Sequence, residues 1–109
     1  MDVAALTAGF CSGALSPLDV ARAALARAEE IQPRLNAFTF IDHAGALEAA
    51  RAAEARWRVG APLSAIDGVP TALKDIVHVA GWAVRYGSRV TDAAPMKEDA
   101  PSVAGLRAA

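Results

Sequence analysis

The stretch Ser16-Pro17-Leu18-Asp19 carries the clearest helix start in the chain. The serine side chain can accept from the N3 amide, proline fits at N1, and aspartate favours the positive end of the helix dipole. Apolar side chains then gather on one side of the predicted helix until Pro33, where we expect it to end. They are Val20, Ala21, Ala24, Leu25, Ala28 and Ile31, and the charged side chains opposite are Asp19, Arg22, Glu29 and Glu30. One face must therefore pack against another element.

Three other segments have the pattern of amphipathic helices. The first covers residues 3–12, the next covers residues 44–58, and a short last helix starts at Pro101. In the middle one, Glu54 and Arg58 stand at the i,i+4 pairing distance. The predicted caps and stops are Asp2 and Gly13 for the first helix and Gly60 for the middle one, and the apolar stripes are Val3, Leu6 and Phe10, then Leu47, Ala50, Ala53 and Trp57.

Two short apolar runs predict buried strands. Residues 35–41 are rich in aromatic and β-branched side chains, and residues 66–73 begin with a turn at Gly68 and Pro70 that feeds an apolar run. Strand, helix, strand in this order is typical of an α/β unit. We therefore predict an α/β fold of amphipathic helices plus two short buried strands. Two strands cannot supply the cover that both sheet faces need, so the core is expected to be incomplete.

Composition excludes several classes of function. The 109 residues are 54% hydrophobic and 21% charged, with a net charge of −1, so no electrostatic footprint for nucleic acid or an anionic membrane is present. The lone Cys11 can form neither an internal disulfide nor a zinc cluster, and we expect it to pack as a small hydrophobe. No metal or organic cofactor is predicted. Without a secretory signal or an apolar run near 20 residues, the expected location is the cytoplasm.

Lys74 is the candidate catalytic residue. It follows Ala72 and Leu73 at the end of the second predicted strand, and apolar surroundings there would disfavour the charged ammonium and make the amine able to take a proton. Two other interpretations stay open: a solvated surface lysine, or a lysine kept charged by Asp75. Other side chains are expected to have plain roles: His43 and His78 are hydrogen-bonded or solvated, and Trp57 and Trp82 pack. Arg85 is expected to be a solvated surface arginine, with binding of an anionic substrate group as the alternative.

The ordered motifs resemble a known family. Gly68-Val-Pro-Thr-Ala-Leu-Lys-Asp75 is similar to the Gly-[Val/Ile]-Pro-x-x-[Val/Leu]-Lys-Asp segment of the amidase signature family, and the likeness extends through nearly the whole chain from residue 16. The resemblance implies an α/β/α fold and a Ser-Ser-Lys triad that hydrolyses small carboxylic amides, with Lys74 as the catalytic lysine. Residues 1–109 would then be the N-terminal part of a single amidase domain, truncated before its serine-containing core.

The resemblance also implies that both triad serines lie downstream of the matched stretch. No serine here lies in a Gly/Ser-rich run, so we expect the isolated chain to be inactive, and molten or self-associating through uncovered apolar faces; the serines are Ser12, Ser16, Ser64, Ser88 and Ser102. The loop after Asp75 departs from the family at Ile76, at His78 and at residues 83–85, which leaves substrate choice open. Three alternatives remain: the amidase component of a glutamyl/aspartyl-tRNA amidotransferase, a non-catalytic helical interaction module, and a truncated gene product.

Overall fold

A computed structural model describes residues 1–109 as four helices joined by irregular loops. In chain order they are α1 (Val3–Ser12), α2 (Pro17–Leu35), α3 (His43–Arg58) and α4 (Pro101–Arg107). The chain forms two compact units, a first unit of Met1–Pro70 with three of the helices and a second unit of Thr71–Ala109 with the fourth. No helix combines the length and the apolar composition that crossing a membrane requires.

Side-chain caps start the helices of the first unit. The Asp2 carboxylate accepts from the Ala5 amide at 2.8 Å, and the Ser16 hydroxyl accepts from the Asp19 amide at 3.2 Å, as predicted. Gly13 ends α1 in the left-handed conformation, with a φ of 73°. These contacts satisfy backbone groups that a helix end leaves without an intrahelical partner.

The prediction that α2 stops at Pro33 is wrong, because the helix continues to Leu35. Proline has no backbone N–H, so at this position near the helix end it removes only one intrahelical hydrogen bond. The end is set instead by Asn36, which adopts the left-handed conformation and donates its amide to the Gln32 carbonyl at 2.8 Å. Asparagine is one of the few residues that tolerate this conformation.

The core of the first unit lies where α3 packs against α1 and α2. Its buried apolar residues are Phe10, Pro17, Ala21, Ala50 and Ala53. Both predicted faces are confirmed, since every residue of the predicted stripe on α2 and on α3 is buried or half-buried and the predicted charged residues of α2 are exposed. The i,i+4 pair also forms, with Arg58 3.0 Å from Glu54.

Two further packing predictions have opposite outcomes. Trp57 packs against Phe10, with ring centroids 6.1 Å apart, as predicted. Cys11 does not pack as a small hydrophobe, because its side chain lies exposed on α1. The apolar stripe of that helix is narrow, and only Phe10 is fully buried on it. Position 11 therefore faces away from the core.

The predicted strand over residues 35–41 does not form. Leu35 and Phe40 are exposed, at 65% and 54% of their surface. The side-chain amide of Gln32 accepts from the Phe38 amide at 2.9 Å and donates to the Phe38 carbonyl at 2.8 Å. A glutamine thus takes the place of a neighbouring strand, since backbone polar groups need partners of some kind.

The second predicted strand, over residues 66–73, is also absent. The predicted turn at its start forms, with Val69 donating to the Ile66 carbonyl at 3.0 Å, but residues 71–74, which include the apolar end of the predicted strand, are irregular. With neither strand present, the α/β prediction is wrong for these residues. A β-strand needs a partner strand for its hydrogen bonds, and no segment of the chain supplies one.

The second unit is built from loops around three buried valines, Val79, Val84 and Val103. Two isolated bridges, Ala80 with Met96 and Ala83 with Pro95, are its only β-type pairing. The short helix α4 begins at Pro101, as predicted. Asp99 ties it down by accepting from the Ala80 amide at 2.8 Å and pairing with Arg107 at 2.9 Å.

Candidate active-site segment

The segment Asp67–Asp75 begins with a buried carboxylate. Asp67 is only 4% exposed, and Arg56 on α3 donates to both of its oxygens, from Nε and from one terminal nitrogen, at 2.7 Å each. The Leu63 amide donates to the same carboxylate at 3.0 Å, and the Trp57 indole donates to the Asp67 carbonyl at 2.9 Å. These contacts fix the turn that precedes Gly68.

The charge of this pair follows from the same contacts. The hydrogen bonds from Arg56 hold the pKa of Asp67 below its usual range, and they outweigh burial, which acts in the opposite direction. The Asp67 carboxylate in turn raises the pKa of Arg56. Both groups are therefore ionised at neutral pH.

Gly68 is required at its position for two reasons. Its φ of 85° lies in the left-handed region, which side chains with a Cβ avoid. A Cβ built here would also lie 2.9 Å from the Pro17 Cβ and 3.0 Å from the Ala53 Cβ. The glycine thus lets the chain pass close to α2 and α3.

Lys74 lies in the second unit and is exposed. Its carbonyl accepts from the Ile76 amide at 2.7 Å and the Val77 amide at 3.0 Å, which places the residue at the start of a tight turn. Its ammonium group makes no ion pair within the chain. The expectation that a buried strand end shields Lys74 is therefore wrong for these residues, because that strand is absent.

Asp75 does not pair with Lys74, although the sequence left that open. Its carboxylate accepts from the Arg85 amide at 3.0 Å, and its carbonyl accepts from the Tyr86 amide at 3.1 Å. Asp75 thus joins the Lys74 turn to the loop at residues 85–86. Its second carboxylate oxygen and the Arg85 Nε are both buried without a hydrogen-bond partner, so the prediction of a solvated Arg85 is wrong for this nitrogen.

His78 is hydrogen-bonded, as predicted, and its partner is the Tyr86 hydroxyl, 2.6 Å from Nε2. The two rings meet edge to face, with centroids 6.3 Å apart. His43 lies 3.3 Å from Glu29 at the start of α3. No group of three or more His, Cys, Asp or Glu side chains is arranged to hold a metal ion.

The serines occupy turns and helix ends. Ser16 caps α2 and also hydrogen-bonds Glu54, while Ser64 and Ser88 accept from amides two residues further along the chain. None of these contacts involves Lys74. Sequence reasoning missed Arg56 and Tyr86, because an arginine on a helix and a tyrosine in a loop give no signal of the partner that each will meet.

The chain matches known proteins over most of its length. Residues 19–109 match the family model described as Amidase. The chain is 42% identical over 104 residues to a glutamyl-tRNA(Gln) amidotransferase subunit of Myxococcus xanthus, covering 95% of this chain and 21% of that protein. It is 37% identical over 109 residues to the protein of the same name from Salinispora arenicola, covering 100% and 22% respectively. The chain spans about a fifth of the length of these relatives.

Proposed function

Because the chain belongs to the amidase family, which its residues 19–109 match, we propose that it forms the N-terminal part of an enzyme that hydrolyses carboxylic amides. The observation that carries the proposal is the position of Gly68-Val-Pro-Thr-Ala-Leu-Lys-Asp75 within the matched range. Lys74 supplies the base of a Ser-Ser-Lys triad. The two serines lie outside these 109 residues.

In the proposed reaction, neutral Lys74 takes a proton from a bridging serine as that serine takes the proton of the nucleophilic serine. The nucleophile oxygen forms a bond to the amide carbonyl carbon, and the oxyanion is held by preorganised donors. When the C–N bond breaks, the proton returns to the leaving nitrogen. Water then releases the acyl group and restores the serine.

Lys74 can act as a base only when it is removed from water, since solvation favours its charged form. The geometry supports this role in one respect: the ammonium group has no carboxylate partner in the chain that would keep it charged. Asp75, the nearest carboxylate in sequence, is engaged by the Arg85 amide. The part of the enzyme that carries the serines would supply the cover, and the cytoplasm is its proposed location.

A second candidate is the amidase component of a tRNA amidotransferase. It is favoured by the matched relatives, which are named as glutamyl-tRNA(Gln) amidotransferase subunits. Such a component would apply the same chemistry to glutamine and pass the released ammonia to a partner protein. Ammonia release from glutamine that depends on a partner and charged tRNA would favour this candidate, whereas unaided cleavage of free amides would favour the first.

The proposal is tested in a chimera. Residues 1–109 replace the matching segment of the Myxococcus xanthus relative, and amide hydrolysis is measured. We expect Lys74→Ala to lower kcat by roughly 10²–10⁴-fold, the usual contribution of a general base. Lys97→Ala is the matched control, because Lys97 is the only other lysine and is exposed. Equal activity of the two variants would contradict the role of Lys74.

A further inference from the structure

The Lys74 turn and the loop at residues 85–88 form one connected piece of the second unit. Asp75 follows Lys74 directly and accepts from both Arg85 and Tyr86 through its side chain and its carbonyl. Ser88 donates its amide to the Arg85 carbonyl at 2.9 Å, which closes the loop as a four-residue turn. Tyr86 is therefore held next to the candidate catalytic segment by its own contact with the Asp75 carbonyl and by the contact of Arg85 with the Asp75 carboxylate.

Tyr86 adopts a backbone conformation that its residue type avoids. Its φ is 54° and that of Gly87 is 67°, the pattern of a type I′ turn. Glycine, asparagine or aspartate usually occupies the first of these positions, and a bulky aromatic residue there is strained. Strained residues of this kind concentrate at functional sites, where the side chain is needed.

Packing does not account for this tyrosine. Its side chain is 50% exposed, so the turn gains little from burying the ring. The hydroxyl lies 2.6 Å from the Nε2 atom of His78, which is also exposed. This contact fixes the direction of the hydroxyl while leaving the pair open to a ligand.

We propose that Tyr86 is a specificity-determining residue that binds the N–H group of the amide substrate beside Lys74, with His78 as its positioning residue. The inference rests on the proposed function. In the His78 tautomer that carries its proton on Nδ1, Nε2 accepts the Tyr86 proton, so the phenol oxygen presents only lone pairs outward. Such an oxygen accepts hydrogen bonds and favours an amide over an ester, which has no N–H donor.

The test uses the chimera described above, with propionamide and methyl propionate as substrates. Tyr86→Phe removes only the hydroxyl, and we expect it to raise KM for the amide roughly three- to ten-fold, the loss of one neutral hydrogen bond, with kcat and the ester KM unchanged. His78→Leu should have the same effect. His78→Gln, which keeps an acceptor, should restore most of the amide preference.

The variant Tyr86→Asn distinguishes a purely structural role of Tyr86 from the proposed role in substrate binding. Asparagine tolerates the left-handed conformation, so this variant should raise the melting temperature while the amide KM still rises. An amide KM that is unchanged in Tyr86→Phe, or that follows stability across the variants, overturns the proposal.

Failure of the proposed function gives a different result, namely a chimera that turns over neither substrate or is indifferent to Lys74→Ala. Binding of propionamide, measured by saturation-transfer NMR, then decides the role of Tyr86 without turnover. Binding that Tyr86→Phe weakens supports it. Equal binding by the two forms, or none by either, overturns it.

Discussion

Arg56 and Asp67 form a two-point ion pair that joins α3 to the turn before Gly68, with both N···O distances at 2.7 Å. The carboxylate is 4% exposed and the arginine side chain 32% exposed, so one end of the pair reaches solvent. The planar guanidinium matches both carboxylate oxygens at once, which a lysine could not do. The pair therefore fixes the geometry at which the Asp67–Asp75 segment begins.

Removing the charge of Asp67 should destabilise the first unit. Asp67→Asn keeps the shape but leaves Arg56 without its ion pair, and we expect the free energy of unfolding to fall by about 1–3 kcal/mol, less than for a fully buried pair because Arg56 is partly solvated. Urea unfolding followed by circular dichroism at 222 nm measures the change. Asp19→Asn is the control, since its pair with Arg22 is exposed and should contribute below about 1 kcal/mol. Equal effects of the two substitutions would contradict the prediction.

The same pair predicts an acid-sensitive fold. The pKa of Asp67 is lowered in the folded chain, so its contribution is complete above the unfolded value of about 3.9 and is lost as the pH falls through the folded pKa. Arg56 stays charged across this pH range, so it adds nothing to the pH dependence of the free energy of unfolding. The melting temperature of each chain, followed by its helical circular dichroism signal, is measured between pH 7 and pH 2.5. It should fall more steeply below pH ~4 in the natural chain than in Asp67→Asn. Parallel curves would show that Asp67 does not titrate differently on folding.

Helices could be predicted from the sequence because their signals are local. The Ser16 cap and the alanine stripe through Ala50 and Ala53 act within a few residues, and the structure confirms them. The strands could not, because a strand depends on a partner that local pattern does not reveal. Phe38 shows this: its composition favours a strand, but the Gln32 side chain satisfies its backbone.

For the candidate site too, the sequence indicates what is local and misses contacts between separate segments. Lys74 could be proposed as the catalytic residue because its motif is contiguous in sequence, whereas its exposure depends on packing partners that no local pattern describes. The Arg56–Asp67 pair joins residues on a helix and a distant turn, and the Tyr86–His78 pair joins two loops. Such pairs require knowledge of how separate segments meet. The resemblance to a family implied the proposed role of Lys74 but neither of these contacts.

Substitution of Gly68 should destabilise the chain far more than substitution of another glycine with a similar backbone conformation. Gly68→Ala adds a Cβ against Pro17 and Ala53 in addition to the strain of a positive φ, and we expect a loss of about 2–4 kcal/mol. Gly60 has a φ of 69°, and no atom beyond its two chain neighbours lies within 4 Å of the position that a Cβ would take there, so Gly60→Ala should cost only the backbone part, about 1 kcal/mol. Urea unfolding of both variants provides the comparison. A difference below the experimental error would mean that α2 and α3 move apart at little cost.

The two units should differ in stability when the chain is studied alone. Domains of fewer than about 40 residues usually need a disulfide, a metal or a partner to be stable, and the second unit is below this size. Its only fully buried side chains are Val79, Val84 and Val103. The first unit has three capped helices and the Arg56–Asp67 pair. Hydrogen exchange should therefore be fast throughout residues 71–109 and slower in α2 and α3, and limited proteolysis should cut first in the second unit.

In the chimera, where the rest of an amidase can cover these loops, exchange in residues 71–109 should slow by at least about ten-fold, which corresponds to about 1.4 kcal/mol of added local stability. Uniform protection of the isolated chain would show that three valines and a set of turns suffice to order the second unit.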